Sequence, residues 1–399
     1  MNAPTFLSQL IPPHASTEPG RHLLDLAREV AAIAAEHAEQ VDRDAAFPQA
    51  ALAALREHRL LGAMVPVEFG GDGASLDIVA AISRLLGAAC ASTGMVFAMH
   101  QIQVACLIEH GVGSPWHEGL LERVAAEQLL LASATSEDAL GGALRSSSCA
   151  VRLQGDHYQL SKVAPTISYG EQADVILATA RRHADAPQSD QVLICVLRQD
   201  RLLQALDQWN PLGMRGTCSN GFRIEARGDQ EQILPVPFGE IADATMTPVS
   251  HILWAALWIG IAGDAVQRAK AYFQGQVRAR PDIMPVSAAR LAEAVATVQM
   301  MEARLDMALT HRRRRAGAQS VAALFALAAE MNGLKTSVST LALEAVRAAL
   351  LICGMAGYKC DTPFSLGRHL RDLWSGPLMI NNDRILGNTA SLLLAERSI

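Results

Sequence analysis

The sequence is poor in aromatic and charged residues, which make up 5% and 19% of its 399 positions. It has 34 basic and 40 acidic side chains, a net charge of −6, and no long basic stripe. The one basic cluster, Arg312 to Arg315, occupies successive positions that point all round a helix. Proteins that bind nucleic acid concentrate their positive charge on one face. We therefore expect no nucleic-acid partner.

Long apolar runs are also absent. The longest, Ile252 to Gly263, has 12 residues, whereas a helix needs roughly 20 to span a bilayer. The sequence does not open with a charged segment followed by an apolar stretch, the pattern of a secretory signal. We therefore expect a cytoplasmic protein with no membrane partner.

The seven cysteines are scattered along the chain. None has the Cys-x-x-Cys or Cys/His spacing of zinc ligands. A free, buried cysteine is usually a small hydrophobic residue. The sequence therefore predicts reduced thiols and no metal site. The residues concerned are Cys90, Cys106, Cys149, Cys195, Cys218, Cys353 and Cys360.

Half of the residues are apolar, and their spacing changes twice along the chain. Between residues 23 and 110 they recur every three or four positions, which indicates helices. The Pro- and Gly-rich stretch from Val65 to Ser75 predicts a loop between those helices. From about Thr247 the helical spacing returns, with a loop at Gly354 to Pro363.

Between these helical regions the segments are short and are separated by turn residues, which predicts the strands of an antiparallel sheet or barrel. Gly155-Asp156 separates two of them and is expected to form a hairpin turn. The predicted strands are Val151 to Leu153, His157 to Leu160, Asp174 to Ala180, Gln191 to Leu197 and Gly221 to Glu225.

The order of helices, strands and helices predicts an α+β protein of three domains. We expect an N-terminal helical domain at residues 1–127, a middle β-barrel or β-sheet domain at 128–240, and a C-terminal helical-bundle domain at 241–399. Such an architecture does not by itself identify a reaction.

Several motifs resemble those of one enzyme family. Trp209 to Ser219 (WNPLGMRGTCS) resembles the signature that closes the middle domain of acyl-CoA dehydrogenases. Gly354 to Tyr358 and then Leu370-Arg371-Asp372 follow in the order and spacing of that family. Ala134 to Glu137 and Lys162 to Asp174 resemble its two flavin-contacting strands.

The resemblance extends over residues 20–397, and the chain is identified as a divergent member of the acyl-CoA dehydrogenase superfamily. It implies a C-terminal four-helix bundle and a flavin, normally FAD with FMN as the alternative, between the β domain and these helices. The implied contacts are the backbone of Ala134 and the hydroxyl of Ser136 in the first strand, and Thr166 and Ser168 in the second. Hydroxyls that only satisfy neighbouring groups are the alternative interpretation.

The resemblance also suggests how the flavin phosphates are held. Gly354 and Gly357 would let backbone N–H groups approach a pyrophosphate, although ordinary turn glycines are the alternative. The family has an arginine that reaches the flavin of the partner subunit; gap-free counting gives Gln276, with Arg278 and Arg280 nearby. We take Arg278 as the candidate. A homodimer or homotetramer is therefore implied.

The catalytic base of the family is missing. A dehydrogenase of this family needs a carboxylate to remove the α-proton of the thioester, and its usual glutamate lies nine residues after the arginine that matches Arg371. That position is Ile380, which cannot accept a proton. A second register used in the family falls near His251, which is a candidate base. The alternative for His251 is a helix-end or packing residue.

Other polar residues are candidates for substrate binding. Asn381, Arg384 and Asn388 would share one face of a helix, so that Asn381 and Arg384 could contact a substrate. The alternative is that this segment caps a helix. His100 is a further candidate, with a structural role as the alternative.

Three functions remain open at this point. The first is a flavin-dependent oxidoreductase acting on an acyl thioester of CoA or of an acyl-carrier protein, with a non-standard base. The second is a reduced-flavin monooxygenase, a branch that also lacks the glutamate, although Leu378 and Met379 stand where that branch often has a histidine. The third is a non-catalytic flavin-binding partner protein.

Overall fold

The structure is a computed structural model that describes residues 18–137, 144–315 and 321–395. Five helices precede the β region: α1 (Glu18–Asp44), α2 (Gln49–Glu57), α3 (Leu76–Ala89), α4 (Ala91–Gly111) and α5 (Pro115–Glu127). The strands are β1 (Leu131–Ala134), β2 (Arg152–Gln154), β3 (His157–Ala164), β4 (Val175–Arg181), β5 (Gln191–Leu197), β6 (Arg201–Ala205) and β7 (Phe222–Asp229). The last helices are α6 (Phe238–Ile241), α7 (Thr247–Ala279), α8 (Ala288–Arg315), α9 (Val321–Cys353), α10 (Met355–Tyr358), α11 (Gly367–Leu373), α12 (Ser375–Leu378) and α13 (Asn382–Ala395).

The N-terminal helices follow the apolar spacing of the sequence. In α1 the buried residues include Leu24, Ala27 and Val30, one turn apart on one face. The loop predicted between residues 65 and 75 is confirmed, and α3 begins directly after it. Gly71 is required there, because an added Cβ would lie 2.1 Å from the Val65 carbonyl oxygen.

The middle region contains two sheets, with strand orders β1-β4-β5 and β2-β3-β7-β6. Side chains of β3 alternate between exposed and buried, so this sheet has one solvated face. All seven residues of β5 are buried, which places its sheet in the core. The predicted hairpin is confirmed: Gln154 pairs with His157, and Gly155 takes a φ of +60° in the two-residue turn.

The strands predicted from the sequence pair antiparallel with one another, as expected, but the β region also contains a parallel pair. Strand β1 pairs with β4 in parallel, with Leu131 opposite Val175. The long connection between these strands, which includes the β2–β3 hairpin, makes such a crossover feasible. Strand β6 was not predicted, because it lies at the edge of its sheet and shows no regular alternation of buried and exposed residues.

Helix α7 lies at the centre of the molecule and joins the helical regions. It packs against α3 and α4 on one side and against α8 and α9 on the other. Glycines allow α3 and α7 to approach closely, since an added Cβ at Gly260 would lie 2.1 Å from the Arg84 carbonyl oxygen. The predicted helical C-terminal region is confirmed. The boundary predicted at residue 240 falls within α6.

By length and composition alone, three helices among the described residues are long and apolar enough to cross a membrane. They are the segments Ala91–Gly111, Phe238–Ala279 and Phe325–Cys353. The first two have 89% of their most apolar window buried inside the protein, and the third has 50%. The absence of a long uninterrupted apolar run in the sequence therefore did not rule out helices of this kind.

Candidate functional site

A cavity of about 520 Å³ lies where the β region meets α4, α7 and the segment around α12. We call the polar wall the hydroxyl side chains that the β region and the segment from Trp209 to Ser219 contribute to its lining. These are Ser133, Thr135, Ser136, Thr166, Ser168, Thr217 and Ser219. We call the apolar wall the large hydrophobic side chains that the helical regions contribute. These are Met95, Met99, Ile102, Met246, Trp254, Trp374, Leu378, Met379 and Ile380.

Three hydroxyls of the polar wall form a connected chain. Ser168 Oγ lies 2.9 Å from Ser219 Oγ, which lies 2.7 Å from Thr217 Oγ1. Thr217 Oγ1 donates to the Met214 carbonyl oxygen at 2.9 Å. Ser168 can donate to Ser219, and Ser219 to Thr217. In this arrangement the Ser168 oxygen is free to accept a hydrogen bond from a group bound in the cavity.

This chain can also run in the opposite direction. The Met214 carbonyl oxygen accepts from Trp209 Nε1 at 3.2 Å and from the Thr217 amide at 3.1 Å, so it stays paired if the Thr217 hydroxyl turns away. Ser168 would then offer its hydrogen instead of its lone pairs. The chain can therefore serve either an acceptor or a donor on a bound ring, because hydroxyl hydrogens rotate freely.

A buried ion pair supports the polar wall. Glu137 follows the wall residue Ser136 and accepts from Lys162 Nζ at 2.6 Å. Lys162, on β3, also donates to the Thr179 carbonyl oxygen of β4 at 2.9 Å and so joins the two sheets. Burial opposes ionisation of Glu137, but the Lys162 ammonium and the Ser147 and Ser148 hydroxyls lower its pKa to about 2.

The motif from Trp209 to Ser219 fixes the β region to the C-terminal helices. The Met214 amide donates to Asp372 Oδ1 at 2.7 Å. An added Cβ at Gly213 would lie 2.1 Å from the Arg371 carbonyl oxygen, so only glycine fits there. Burial raises the pKa of Asp372 to about 6. Arg371 forms its ion pair with Asp42 of α1, so the Arg371-Asp372 pair connects α11 to other parts of the protein.

The cavity wall contains no candidate base among the described residues. Of the described lining residues, Arg371 is the only one with a charged side chain, and none has a carboxylate or an imidazole. Ile380, at which the sequence resemblance led us to expect a glutamate, does lie in the wall. Residues 138–143, which include Asp138, lie outside the described part of the chain.

His251 is not one of the residues that line the cavity, although its neighbours Ser250 and Trp254 are. Its ring is buried within the helical region, 1% exposed. Burial lowers the pKa of His251 to about 3, which keeps the ring neutral. The predicted role of His251 as the base therefore has no geometric support.

The prediction that His100 binds substrate was wrong. His100 is fully buried and both of its ring nitrogens are used by the backbone. The Leu131 amide donates to Nδ1 at 3.1 Å, so that Nε2 carries the hydrogen and donates to the Leu61 carbonyl oxygen at 2.8 Å. Burial lowers the pKa of His100 to about 4. The residue connects the N-terminal helical region to β1.

Asn381 and Arg384 do not line the cavity of the described structure, and both are exposed. Asn381 Oδ1 accepts from the Asp383 amide at 2.8 Å, at the beginning of α13. The structure thus favours the helix-capping alternative over the predicted contact with substrate. The shared helical face expected of these residues points outward because Ile385 is the buried side chain of that turn.

The predicted flavin contacts divide into two groups. Ser136, Thr166 and Ser168 all line the cavity. Ala134 is fully buried and does not line the cavity, which is reached by the side chains of Ser133 and Thr135 on either side. The alternation of the strand explains this shift. The expected contact through the Ala134 backbone stays a prediction.

Gly354, Gly357 and Arg278 are not among the residues that line the cavity. Gly357 is required by packing, since an added Cβ would lie 2.7 Å from the Cβ of Cys353. Gly354 takes a φ of +54° just after α9, and Arg278 is exposed near the end of α7. Their roles at the flavin phosphates stay predictions.

Some cavity residues were not singled out in the sequence. Thr217 and Ser219 are in the wall, and they belong to the Trp209–Ser219 motif. Gln103 also lines the cavity; its side chain is 2% exposed and its Oε1 has no hydrogen-bond partner. Its position on the buried helix α4 could not be distinguished from ordinary core by spacing alone.

The residues present fit a planar ring system with one polar edge and an apolar face. The polar wall offers hydroxyls of either hydrogen-bonding sense, and the apolar wall offers methionine and tryptophan side chains that pack on rings. A flavin has this chemistry. The hydroxyls that would hold its polar edge are those of Ser136, Thr166 and Ser168.

Comparison with known proteins shows the same scaffold. Residues 17–116 match the family model of the acyl-CoA dehydrogenase N-terminal domain. The probable acyl-CoA dehydrogenase FadE25 of Mycobacterium tuberculosis is 24% identical over 341 residues, 85% of each chain. The amino sugar nitrososynthase DnmZ of Streptomyces peucetius is 27% identical over 381 residues, 91% of this chain and 90% of the relative.

Among solved structures, the fold is similar to that of FMN-bound TdsC from Paenibacillus sp. A11-2, a dibenzothiophene monooxygenase. The TM-score is 0.83 at 21% identity, over 95% of this chain and 98% of TdsC. The fold thus defines a three-part helical and β scaffold, and the cavity described above lies where its parts meet. The chain belongs to the acyl-CoA dehydrogenase superfamily.

Proposed function

We propose that this protein is a reduced-flavin-dependent monooxygenase that uses FMN and acts on a compact, apolar substrate. The observation that carries the proposal is the composition of the cavity wall. Among the described residues, that wall combines a chain of hydroxyls with large apolar side chains and contains no carboxylate or imidazole.

An α,β-dehydrogenation of an acyl thioester needs a base within hydrogen-bond reach of the α-carbon. Ile380 occupies the position expected for that base, and His251 does not line the cavity. Oxygen insertion needs no carboxylate to abstract a carbon-bound proton. The geometry therefore fits an oxygenase better than a dehydrogenase.

The overall reaction places one oxygen atom of dioxygen on the substrate and releases the other in water, with the two electrons supplied by bound reduced FMN. The chain's own residues would bind and orient the reactants. Ser168 can accept from or donate to the ring edge through the chain to Ser219 and Thr217. Such a reversible contact suits a cofactor that alternates between oxidised and reduced forms.

The apolar wall would bind the substrate and exclude water. Its methionine, isoleucine, leucine and tryptophan side chains favour an apolar ring system over a charged molecule. Arg371, the charged residue of the wall, is already neutralised by Asp42. A substrate with an oxidisable nitrogen, sulfur or electron-rich ring fits these properties.

FMN is preferred to FAD for a structural reason. Part of the expectation of FAD depended on Gly357 as a pyrophosphate contact, but packing against Cys353 already requires glycine at that position. FMN lacks the adenosine half and needs no pyrophosphate site. Equilibrium dialysis with each flavin tests this choice, and tighter binding of FAD than of FMN would contradict it.

The function is tested by supplying FMN, a flavin reductase and NADH to the purified protein in air. We expect oxygenated product from at least one member of a panel of apolar amines, sulfides and aromatic compounds. A Ser168→Ala variant should give less product, whereas Ser161→Ala, a change on the exposed face of β3, should not alter the yield.

Action on an acyl thioester of CoA or an acyl-carrier protein is the second candidate, supported by the similarity to a probable acyl-CoA dehydrogenase. Anaerobic addition of acyl thioesters to the flavin-loaded protein distinguishes the two, since only a dehydrogenase bleaches the flavin. Bleaching by a thioester, with no oxygenated product from the panel, would contradict the monooxygenase proposal. A protein inactive in both assays would support the non-catalytic alternative.

Assembly and location remain proposals. We propose a homodimer or homotetramer in the cytoplasm, as the resemblance and composition suggest. Light scattering coupled to size-exclusion chromatography measures the mass of the assembly, and a monomer of 42.6 kDa would contradict the proposal.

A further inference from the structure

Two lysines are buried among the described residues, and they have different partners. Lys162 is paired with a glutamate, as described above. Lys335, on α9, is 0% exposed and has no carboxylate within ion-pair distance in the described part of the chain. Instead, Nζ donates to the Ile380 carbonyl oxygen at 2.8 Å and to Asn382 Oδ1 at 2.7 Å. It also lies 5.9 Å from the centre of the Trp258 ring.

The residue that accepts from Lys335 has an unusual backbone. Ile380 takes a φ of +45°, the left-handed region. For a β-branched side chain this conformation is strained and persists only where surrounding contacts enforce it. Ile380 also contributes to the apolar wall, so its conformation affects the shape of the cavity.

The chain is held on both sides of this turn. Before it, Gly376 of α12 lies against α7 and α9, where an added Cβ would be 3.1 Å from Ser339 Cβ and 3.3 Å from Trp258 Cε2. After it, Asn382 Nδ2 donates to Ser339 Oγ at 3.1 Å. Between these two contacts along the chain, Lys335 donates a hydrogen bond to the strained residue itself, Ile380.

We propose that Lys335 is a positioning residue that holds Ile380 in the left-handed conformation and thereby fixes the apolar wall from Leu378 to Ile380. Burial lowers the pKa of Lys335 to about 8, which agrees with the absence of a nearby carboxylate. The role does not depend on the proposed reaction, because the contacts are present in the chain without any ligand.

Hydrogen exchange of the unliganded protein tests the proposal, read on peptides between Gly376 and Leu386. Protected amides there include Met379, which donates to the Ser375 carbonyl oxygen, and Ile385, which donates to that of Asn381. In Lys335→Met we expect exchange in this segment to be about tenfold faster, as loss of about one charged hydrogen bond allows. Exchange in β5 should not change by a similar factor.

Lys162→Met is the matched control, because it removes the other buried lysine. It should accelerate amide exchange in the β region. Exchange in the segment from Gly376 to Leu386 should not be accelerated more than exchange in the rest of the chain. If Lys335→Met does not fold, Lys335→Gln should give a smaller acceleration in the same segment. No acceleration at this segment in either Lys335 variant, or an equal one in Lys162→Met, would overturn the proposal.

Rescue at residue 380 separates positioning from general stabilisation. Asparagine adopts the left-handed conformation several-fold more readily than β-branched residues. Adding Ile380→Asn to Lys335→Met should slow exchange in the segment by about threefold, whereas Ile380→Val should leave it fast. Rescue by neither substitution, or by both equally, would contradict a role in holding this strained conformation.

Discussion

The two walls of the cavity are supported in different ways. Behind the polar wall, Lys162 and Glu137 compensate each other's charge, and the hydroxyls of Ser147 and Ser148 complete the carboxylate's hydrogen bonds. Behind the apolar wall, the hydrogen-bond partners of Lys335 in the described part of the chain are a carbonyl and an amide oxygen, and the carbonyl belongs to a strained isoleucine.

This difference predicts how much stability is lost when the lysine behind each wall is replaced. Removing one partner of a compensated buried pair leaves an isolated charge, which is costly. Replacing Lys335 by an apolar residue removes two hydrogen bonds, but it also removes the cost of burying an ammonium group. The second effect offsets part of the first. The polar wall should therefore tolerate less change in its support than the apolar wall does.

The largest effect is expected for Lys162→Met, which leaves Glu137 buried without its cation. We expect a loss of about 3–5 kcal/mol in the free energy of unfolding, measured by urea denaturation. In the double variant Lys162→Met/Glu137→Gln most of this loss should disappear. A loss below about 1 kcal/mol in the single variant would show that the pair contributes little to the polar wall.

Acid should weaken the same pair. The pKa of Glu137 is about 2 in the folded protein against 4.5 for the free side chain. Because the folded value is lowered, the stabilisation is fully present above about pH 4.5 and is lost as the pH falls towards 2. It amounts to about 3 kcal/mol. Urea denaturation of wild type and Glu137→Gln from pH 6 to pH 3 should show a shallower acid loss in the variant, and identical slopes would contradict the assignment.

A smaller effect is expected at the apolar wall. Lys335→Met should lower the free energy of unfolding by about 1–2 kcal/mol, less than Lys162→Met, because desolvation of the ammonium is relieved at the same time. Urea denaturation of both variants under the same conditions makes the comparison. A loss in Lys335→Met equal to or above that in Lys162→Met would remove the distinction between the walls.

Within the polar wall, Ser168→Ala should weaken FMN binding by roughly 1 kcal/mol, about fivefold in the dissociation constant. Ser219→Ala should have a smaller effect, because Ser219 contacts the ring edge only through Ser168 in this arrangement. Fluorescence titration with FMN measures both. Equal weakening by the two substitutions would show that the hydroxyl chain acts as one unit.

The smallest effect is expected outside both walls. Asn381→Ala removes the side-chain acceptor at the beginning of α13 and should cost about 1 kcal/mol of stability. FMN affinity and product yield should not change, because Asn381 does not line the cavity. A loss of activity without a loss of stability would restore the earlier prediction of a substrate contact.

The sequence predicted what depends on neighbouring residues. The Gly155-Asp156 turn needs only the two strands beside it, and the cap at Asn381, foreseen as an alternative, joins residues two positions apart. The order of helices and strands followed from the spacing of apolar residues. The motif from Trp209 to Ser219 also identified a segment that lines the cavity.

Contacts between distant residues could not be predicted in the same way. His100 is paired with backbone groups 39 and 31 residues away, so nothing local distinguished a buried structural histidine from a ligand. Lys335 and Ile380 are 45 residues apart, and their contact depends on how α9 meets the turn before α13. The parallel pairing of β1 with β4 likewise required the tertiary arrangement.

The central proposal is that the cavity supports oxygen insertion and that its lining, among the described residues, lacks a base for dehydrogenation. Product analysis by mass spectrometry under oxygen-18 gas tests it most directly, with FMN, a flavin reductase and the panel of apolar amines, sulfides and aromatic compounds. We predict a product that carries one oxygen-18 atom and is absent without the protein. Absence of any labelled product, together with anaerobic bleaching of the flavin by an acyl thioester, would contradict the account.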